Sequence, residues 1–283
     1  MASVEPKIAV LVHVGALAPL AEILGLLRNF DKARTPVDLF FNLVTDRVPV
    51  FEATNLIHRS FPTAVILPTE NRGMDIGGFF ALLPKVLNKG YDYLLKLHTK
   101  TDPNWRRGLM QPLLGTDMAI KQCLTQFKVS PRVGLICARR HLYLETLGRK
   151  PNAEHLASLC TKYRVRNNST FFSGGTVFWV RMSILEKTFG GVDLKDLYLS
   201  LNTLETLDTH WYKNNYNYLP FPKTITGVQL HWETIGKSSG LFPNSLAARE
   251  KRGRAILDGQ IEHAFERFFG LITIAQGLQV LGI

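Results

Sequence analysis

Three cysteines in 283 residues, Cys123, Cys137 and Cys160, are too few and too widely spaced for a disulfide framework or a cysteine-based metal site. They read as reduced, buried thiols, which points to the cytoplasm. The opening MASVEPKIAVLVHV lacks the basic-then-apolar run and small-residue cleavage site of a secretory signal. The Asn-x-Ser/Thr patterns in RNNST are then chance matches, not glycosylation sites. Long apolar runs are also missing. FFGLITIAQGLQVLGI falls short of the about 20 residues a span needs and is interrupted by Gln276 and Gln279, so a core or docking helix is expected there. Acidic residues are the scarcer sign, 23 Asp and Glu against 34 Lys and Arg, for a net charge of +11. Such a balance suits a phosphorylated ligand or an anionic membrane surface. The basic groups ARRH, TKYRVR and REKRGR carry no zinc-finger, helix-turn-helix or RNP pattern, and no nucleic-acid partner is expected.

No internal repeat, low-complexity tract or linker interrupts the chain, and one domain over 1–283 is the simplest division. KIAVLVHV has the continuous apolar character of a strand buried on both faces. ALAPLAEILGLLRNF has helical spacing, PVDLFFNLVTD reads as a strand, VFEATNLIHRSF as a helix and TAVILPT as a strand. A helix over GGFFALLPKVLNKG and a strand over YDYLLKLHTK continue an α/β alternation with a mostly parallel central sheet. Right-handed crossovers bring the ends of these strands, with Asp46, Asn71, His98 and Lys100, to one edge, where such sheets bind ligands. Further on, helices are expected at GTDMAIKQCLTQFK, NAEHLASLCTKYR, around residues 194–214 and at the C terminus. Strands are expected at VGLICA and GGTVFWVR, and a loop up to Ser245.

Four stretches carry candidate chemistry. ENRGMDIGG follows a strand and opens a helix, where glycines let backbone N–H groups approach an anionic ligand. Asp75 within it suits either a helix cap or a hydrogen bond to a base or sugar, and spacing alone leaves both open. KLHTKTD sets Lys96, His98 and Lys100 on one strand face, where cations could neutralise a leaving diphosphate. FFSGGTVFWVR joins a glycine pair to an aromatic strand. DGQIEHAFER places Asp258, Glu262 and Glu266 on one helical stripe, which by spacing alone is an ordinary charged face. No Ser-His-Asp order, H-E-x-x-H or Cys/His metal spacing competes with these.

Together ENRGMDIGGF, YDYLLKLHTK, FFSGGTVFWVR and LDGQIEHAFER resemble, in order, four blocks of the rhamnan synthesis protein F family, bacterial glycosyltransferase-like proteins of cell-surface polysaccharide assembly. The resemblance implies a GT-A-like (Rossmann-like) α/β fold, with a nucleotide-binding half over 1–105 and an acceptor-side half over 106–283. It implies transfer of a sugar, rhamnose by the family's name, from a nucleotide-diphosphate donor to a glycan or lipid-linked acceptor, with inversion. Asp46 would meet the base and ribose, and His13, Asn71, Gly73, Asp75 and Gly77 the nucleotide and donor sugar. KLHTK stands where many GT-A enzymes carry Asp-x-Asp, so no cofactor is expected to be required; Mn or Mg is in doubt, and His98 and Lys100 would replace the cation. Gly174, Gly175 and Trp179 would line the acceptor side, with Arg267 also in contact with substrate. The general base would be Asp258, with Glu262 and His263 behind it. The implied setting is the inner face of the cell membrane, peripherally or beside other assembly enzymes. The alternative is a nucleotide- or glycan-binding module that kept the fold and lost turnover.

Overall fold

The computed structural model describes residues 5–145, 152–166, 168–252 and 259–283. IAVLVHV forms β1 (Ile8–Val14), buried at every position, as a strand covered on both faces must be. It is followed by α1 (Leu20–Leu27), α2 (Asn29–Ala33), β2 (Val37–Val44), α3 (Val50–Ser60), β3 (Val65–Thr69), α4 (Met74–Leu82) and β4 (Tyr93–His98). The expected alternation holds through this half. Then come α5 (Pro103–Leu114), α6 (Asp117–Val129), β5 (Val133–Cys137), β6 (Leu142–Glu145), α7 (Ala153–Lys162), β7 (Thr170–Ser173), β8 (Phe178–Arg181) and α8 (Met182–Phe189). The chain continues through α9 (Leu194–Leu199), α10 (Thr209–Asn215), α11 (Ile225–His231), α12 (Ser245–Arg252), α13 (Ile261–Ala275) and β9 (Gln279–Gly282).

The second half departs from its sequence pattern: β6, β7, α8 and α12 have no counterpart among the expected elements, and further differences follow. Helix α5 went unforeseen, although Pro103 is well placed in a first turn and the Asp102 carboxylate accepts from Trp105 N. The helical stretch expected around 194–214 is split into α9 and α10, each started by its own capping aspartate, Asp193 and Asp208. The expected loop before Ser245 contains α11 and a π turn at Trp232–Gly236, closed over a small core of Trp211, Tyr212, Tyr216 and Trp232. At the C terminus, α13 stops before Gly277, whose φ of 74° reverses the chain, and β9 pairs in parallel with β5. The apolar tail is therefore a helix plus an edge strand. No helix among the described residues is long and apolar enough to cross a membrane.

The central sheet has the order β3-β2-β1-β4-β8-β5-β9, and β8 alone runs against its neighbours. From β1 the chain moves outward through β2 and β3, then returns to the other flank of β1 as β4. The carboxyl ends of β1 and β4 thus flank a topological switch point, the usual crevice for a ligand. One core on the sheet is rich in phenylalanine, with Phe79, Phe80, Phe189, Phe265 and Phe268, and the other holds Phe30, Phe41, Phe127 and Trp179.

Helix α4 lies close against β1 and β2 because Gly77 and Gly78 follow its first turn. A Cβ on Gly78 would sit 2.1 Å from His13 Nδ1 and 2.5 Å from Asn42 Oδ1. Gly78→Ala should therefore destabilise the protein by about 1–3 kcal/mol in urea unfolding. Gly25, inside α1 with nothing within 4 Å of its would-be Cβ, supplies the opposite case: Gly25→Ala should stabilise by about 0.5–1 kcal/mol.

Candidate functional site

At the start of α4 the backbone takes two successive left-handed residues, Gly73 at φ 62° and Met74 at φ 52°. No side chain caps this helix. Asp75 turns inward across the sheet edge. Its Oδ2 lies 2.5 Å from Lys96 Nζ and also accepts from Thr176 Oγ1. Lys96, 1% exposed, further donates to Thr176 O at 3.1 Å and Thr176 Oγ1 at 2.9 Å. Burial alone would raise the Asp75 carboxyl. The Lys96 ammonium, the field of His98 and hydrogen bonds from Lys96 and Thr176 outweigh burial and hold its pKa well below the ordinary carboxylate value. The cap-or-ligand alternative for Asp75 thus gains a different answer: its first partner is a buried lysine on the neighbouring strand.

His98, two residues along β4, donates from Nε2 to Gly175 O at 2.7 Å. Burial is the main force on it, lowering its pKa to about 3. It is a neutral donor at physiological pH, so the expectation that it replaces a cation is corrected. Gly175, at φ 85°, donates its N–H to Glu266 Oε1 at 2.5 Å, and Glu266 Oε2 meets Arg267 Nη1 at 2.5 Å. Arg267 is itself buried, lying 3.3 Å from Glu145 and 4.7 Å from the Phe172 ring centroid. On the other side of the switch point, Asn42 donates its amide to Leu67 O and Thr69 Oγ1. Its Oδ1 therefore faces His13 Nδ1, 2.7 Å away, and accepts that proton. Burial lowers the His13 pKa to about 4, leaving a neutral ring. Asp46 is exposed beyond β2 and accepts from Asn71 N at 3.1 Å. The Asn71 Nδ2 is buried and has no hydrogen-bond partner among the described residues, which is costly unless something else supplies an acceptor.

The fold thus brings His13, Asn71, Gly73, Asp75, Gly77, His98, Gly174 and Gly175 to one edge of the sheet, at the carboxyl ends of β1, β2 and β4. The Lys100 ammonium lies 4.4 Å from the ring centroid of Trp105, beside it. Trp179 is a correction: it is fully buried, donates to Leu113 O and packs on Phe30. The strand phase directs it into the core, and the tryptophan that flanks Gly175 on the surface is Trp105, 41% exposed. Glu262 is also displaced from its expected role as a base. It is 2% exposed, and its two oxygens face Asn202, at 3.0 Å from the main-chain N and 3.4 Å from Nδ2. His263 is half-buried on the same helix, its carbonyl taken by Arg267. Asp258 lies outside the described residues. Sequence reading did not assign roles to Thr176, Glu266 or Trp105. Their proximity arises from the reversed strand β8, for which no local signal exists.

The GT-A resemblance raises the question of a divalent ion on a donor diphosphate. The residues do not fit one: of the carboxylates here, Asp75 is bound by the Lys96 ammonium and Glu266 by Gly175 N and Arg267, and His98 and Lys100 stand where carboxylates would be required. No cluster of three or more His, Cys, Asp or Glu among the described residues could hold a metal.

A family model described as rhamnan synthesis protein F matches residues 2–221. The chain belongs to the rhamnan synthesis protein F family. Its match takes in β1 to β8 and ends before α13, so DGQIEHAFER, with Glu266, lies beyond it. Two similar relatives come from strains of Xanthomonas campestris pv. campestris, each described as "Uncharacterized protein WxcX". Both are 28% identical over 189 residues, which is 64% of this chain and 26% of theirs. The chain thus spans about a quarter of the length of these relatives.

Two outcomes follow from the charges. Because the Asp75 pKa is depressed in the native state, its contribution is present above the unfolded value near 4 and is lost as pH falls through the lower native one. Asp75→Asn should flatten the acid limb of the stability curve below about pH 4 and, by leaving Lys96 buried without its counter-charge, cost about 3–5 kcal/mol at pH 7. Glu262 behaves oppositely. Burial, aided by Asp208 and opposed by hydrogen bonds from main-chain N–H groups and by His155, raises its pKa to about 7. The proton it retains stabilises the fold fully below the unfolded value near 4.5, and that contribution is lost as pH rises through 7. Glu262→Gln should remove this decline, up to about 3 kcal/mol, when denaturant titrations at pH 5 and pH 8 are compared.

Proposed function

We propose that this chain is a glycosyltransferase domain of the GT-A type that acts in polysaccharide synthesis, moving a sugar from a nucleotide-diphosphate donor to a glycan or lipid-linked hydroxyl. The observation that carries the reading is the buried Asp75–Lys96–Thr176 cluster, set at the switch point of a mostly parallel sheet beside a helix opened by Gly73. Membership in a family named for rhamnan synthesis supports the pathway and makes rhamnose the first sugar to try. The single reversed strand supports the fold type.

In this reading, Asp46 and the Asn71 Nδ2, which has no partner among the described residues, meet the nucleoside. Asp75, with a side chain 20% exposed, presents its free edge to donor sugar hydroxyls while Lys96 holds it ionised. Lys100 accompanies the diphosphate, and the chemistry needs no metal. Inversion requires a base on the face opposite the leaving group, where an oxocarbenium-like state is attacked by the acceptor hydroxyl. Among the described residues Glu266, held at Gly175 N, is the carboxylate of the late acidic helix nearest Asp75 and Thr176 and is the first candidate, with Asp258 kept as the second candidate from the sequence. Trp105, in place of Trp179, offers the aromatic surface on the acceptor side.

The test is a thermal-shift series with UDP-, GDP- and dTDP-sugars, with and without manganese, followed by donor hydrolysis. A cognate donor at about 100 times its Kd should stabilise by about 2.7 kcal/mol, and manganese should add nothing. Hydrolysis should fall by about 100-fold in Glu266→Gln or Asp258→Asn and stay unchanged in the surface variant Lys128→Ala. A chain that no nucleotide sugar stabilises is not a transferase of this kind, whereas stabilisation without turnover would favour the binding module.

A further inference from the structure

The two sides of the crevice are joined through one helix, at a residue that never reaches the ligand edge. Gly73 donates its N–H to Asn202 O at 2.7 Å, and Arg72 Nη1 donates to Leu199 O at 2.7 Å and Leu201 O at 3.0 Å. A Cβ on Gly73 would lie 2.7 Å from Leu201 Cδ1, so the segment after α9 is pressed against the loop. That segment is in turn held from behind by Glu262 on α13, which accepts from Asn202 N and Nδ2. One turn later on the same helix, Glu266 accepts from Gly175 N, next to the Thr176 that bonds Asp75. The contacts close a ring: Glu262, Asn202, Gly73, Asp75, Thr176, Gly175 and Glu266.

We infer that Glu262 is a positioning residue for the glycine-rich segment at 70–78, the turn before α4 and the start of that helix, acting through the main chain of Asn202 on Gly73. The loop requires an external hold, because two consecutive left-handed residues and an uncapped helix start give it little stability of its own. Asn202 is well suited to transmit one. Its amide face is fixed by Glu262, its carbonyl by Gly73, and its side chain also reaches Asp208 Oδ2 at 3.0 Å, the carboxylate that starts α10. Glu262 therefore sets where Asn71 and Asp75 stand without touching a substrate. The link to catalysis rests on the donor reading of the loop; the link from Glu262 to Gly73 does not.

Hydrogen exchange on the full chain separates the two. Glu262→Met keeps the volume and removes the acceptor, while Glu262→Gln keeps an oxygen for Asn202 N. Exchange at Gly73 and across 70–78 should rise on the order of tenfold in Glu262→Met and return to within about twofold of the parent in Glu262→Gln, with β1 and β2 unchanged. The affinity for the nucleotide sugar that stabilises the parent should weaken about fivefold or more in the methionine variant and recover in the glutamine one. If Glu262→Met does not fold, Glu262→Asp, one methylene short of Asn202, takes its place. Loop exchange that rises no more than in the core strands, or that glutamine fails to restore, overturns the inference. A parent chain without nucleotide affinity would remove the donor reading alone, since the exchange result stands by itself.

Discussion

The arrangement of the crevice depends on one ion pair, Asp75 with Lys96. A lysine in the middle of an interior strand, 1% exposed, is tolerated only if its ammonium is matched by a counter-charge and further acceptors. Asp75, Thr176 Oγ1 and Thr176 O provide these, and in doing so they tie α4, β4 and the turn before β8 to one point. The aspartate cannot leave without stranding the cation, so the first turn of α4 is held at the sheet edge.

Around that point the polar groups follow a common pattern. His13 and His98 are both buried and neutral, each donating one ring N–H to an acceptor from a neighbouring segment, Asn42 and Gly175 respectively. Neutral rings of this kind orient what is near them without adding charge beside Lys96. Glu266 and Arg267 then close the side next to Gly175 with their own ion pair, backed by Glu145. The site thus carries fixed dipoles and two buried, compensated cations, Lys96 and Arg267.

Much of this was legible from local spacing. From β1 to β4 strands alternate with helical crossovers as their apolar runs demanded, α1 and α2 together filling the first, and ENRGMDIGG does sit between a strand and a helix. Less of the site was readable. KLHTK suggested cations, yet burial, a tertiary property, made His98 neutral and turned Lys96 inward. The stripe of Asp258, Glu262 and Glu266 could not reveal that Glu262 faces Asn202 while Glu266 faces Gly175, because equal helical phase says nothing about what each turn meets. Trp179 and Trp105 were likewise indistinguishable by residue type, and only strand phase and exposure separate them.

By itself the sequence determined the order of strands and helices in the first half, the glycine-opened helix start and the kinds of groups available at the ligand edge. These are consequences of short-range periodicity and backbone freedom. Partnership was decided by tertiary structure alone. Asp75 meets Lys96 across 21 residues and Thr176 across 101, Gly175 meets Glu266 across 91, and Asn202 meets Glu262 across 60. Such pairs join strands, turns and helices far apart in the chain, and long-range packing leaves no imprint on the local spacing of residues.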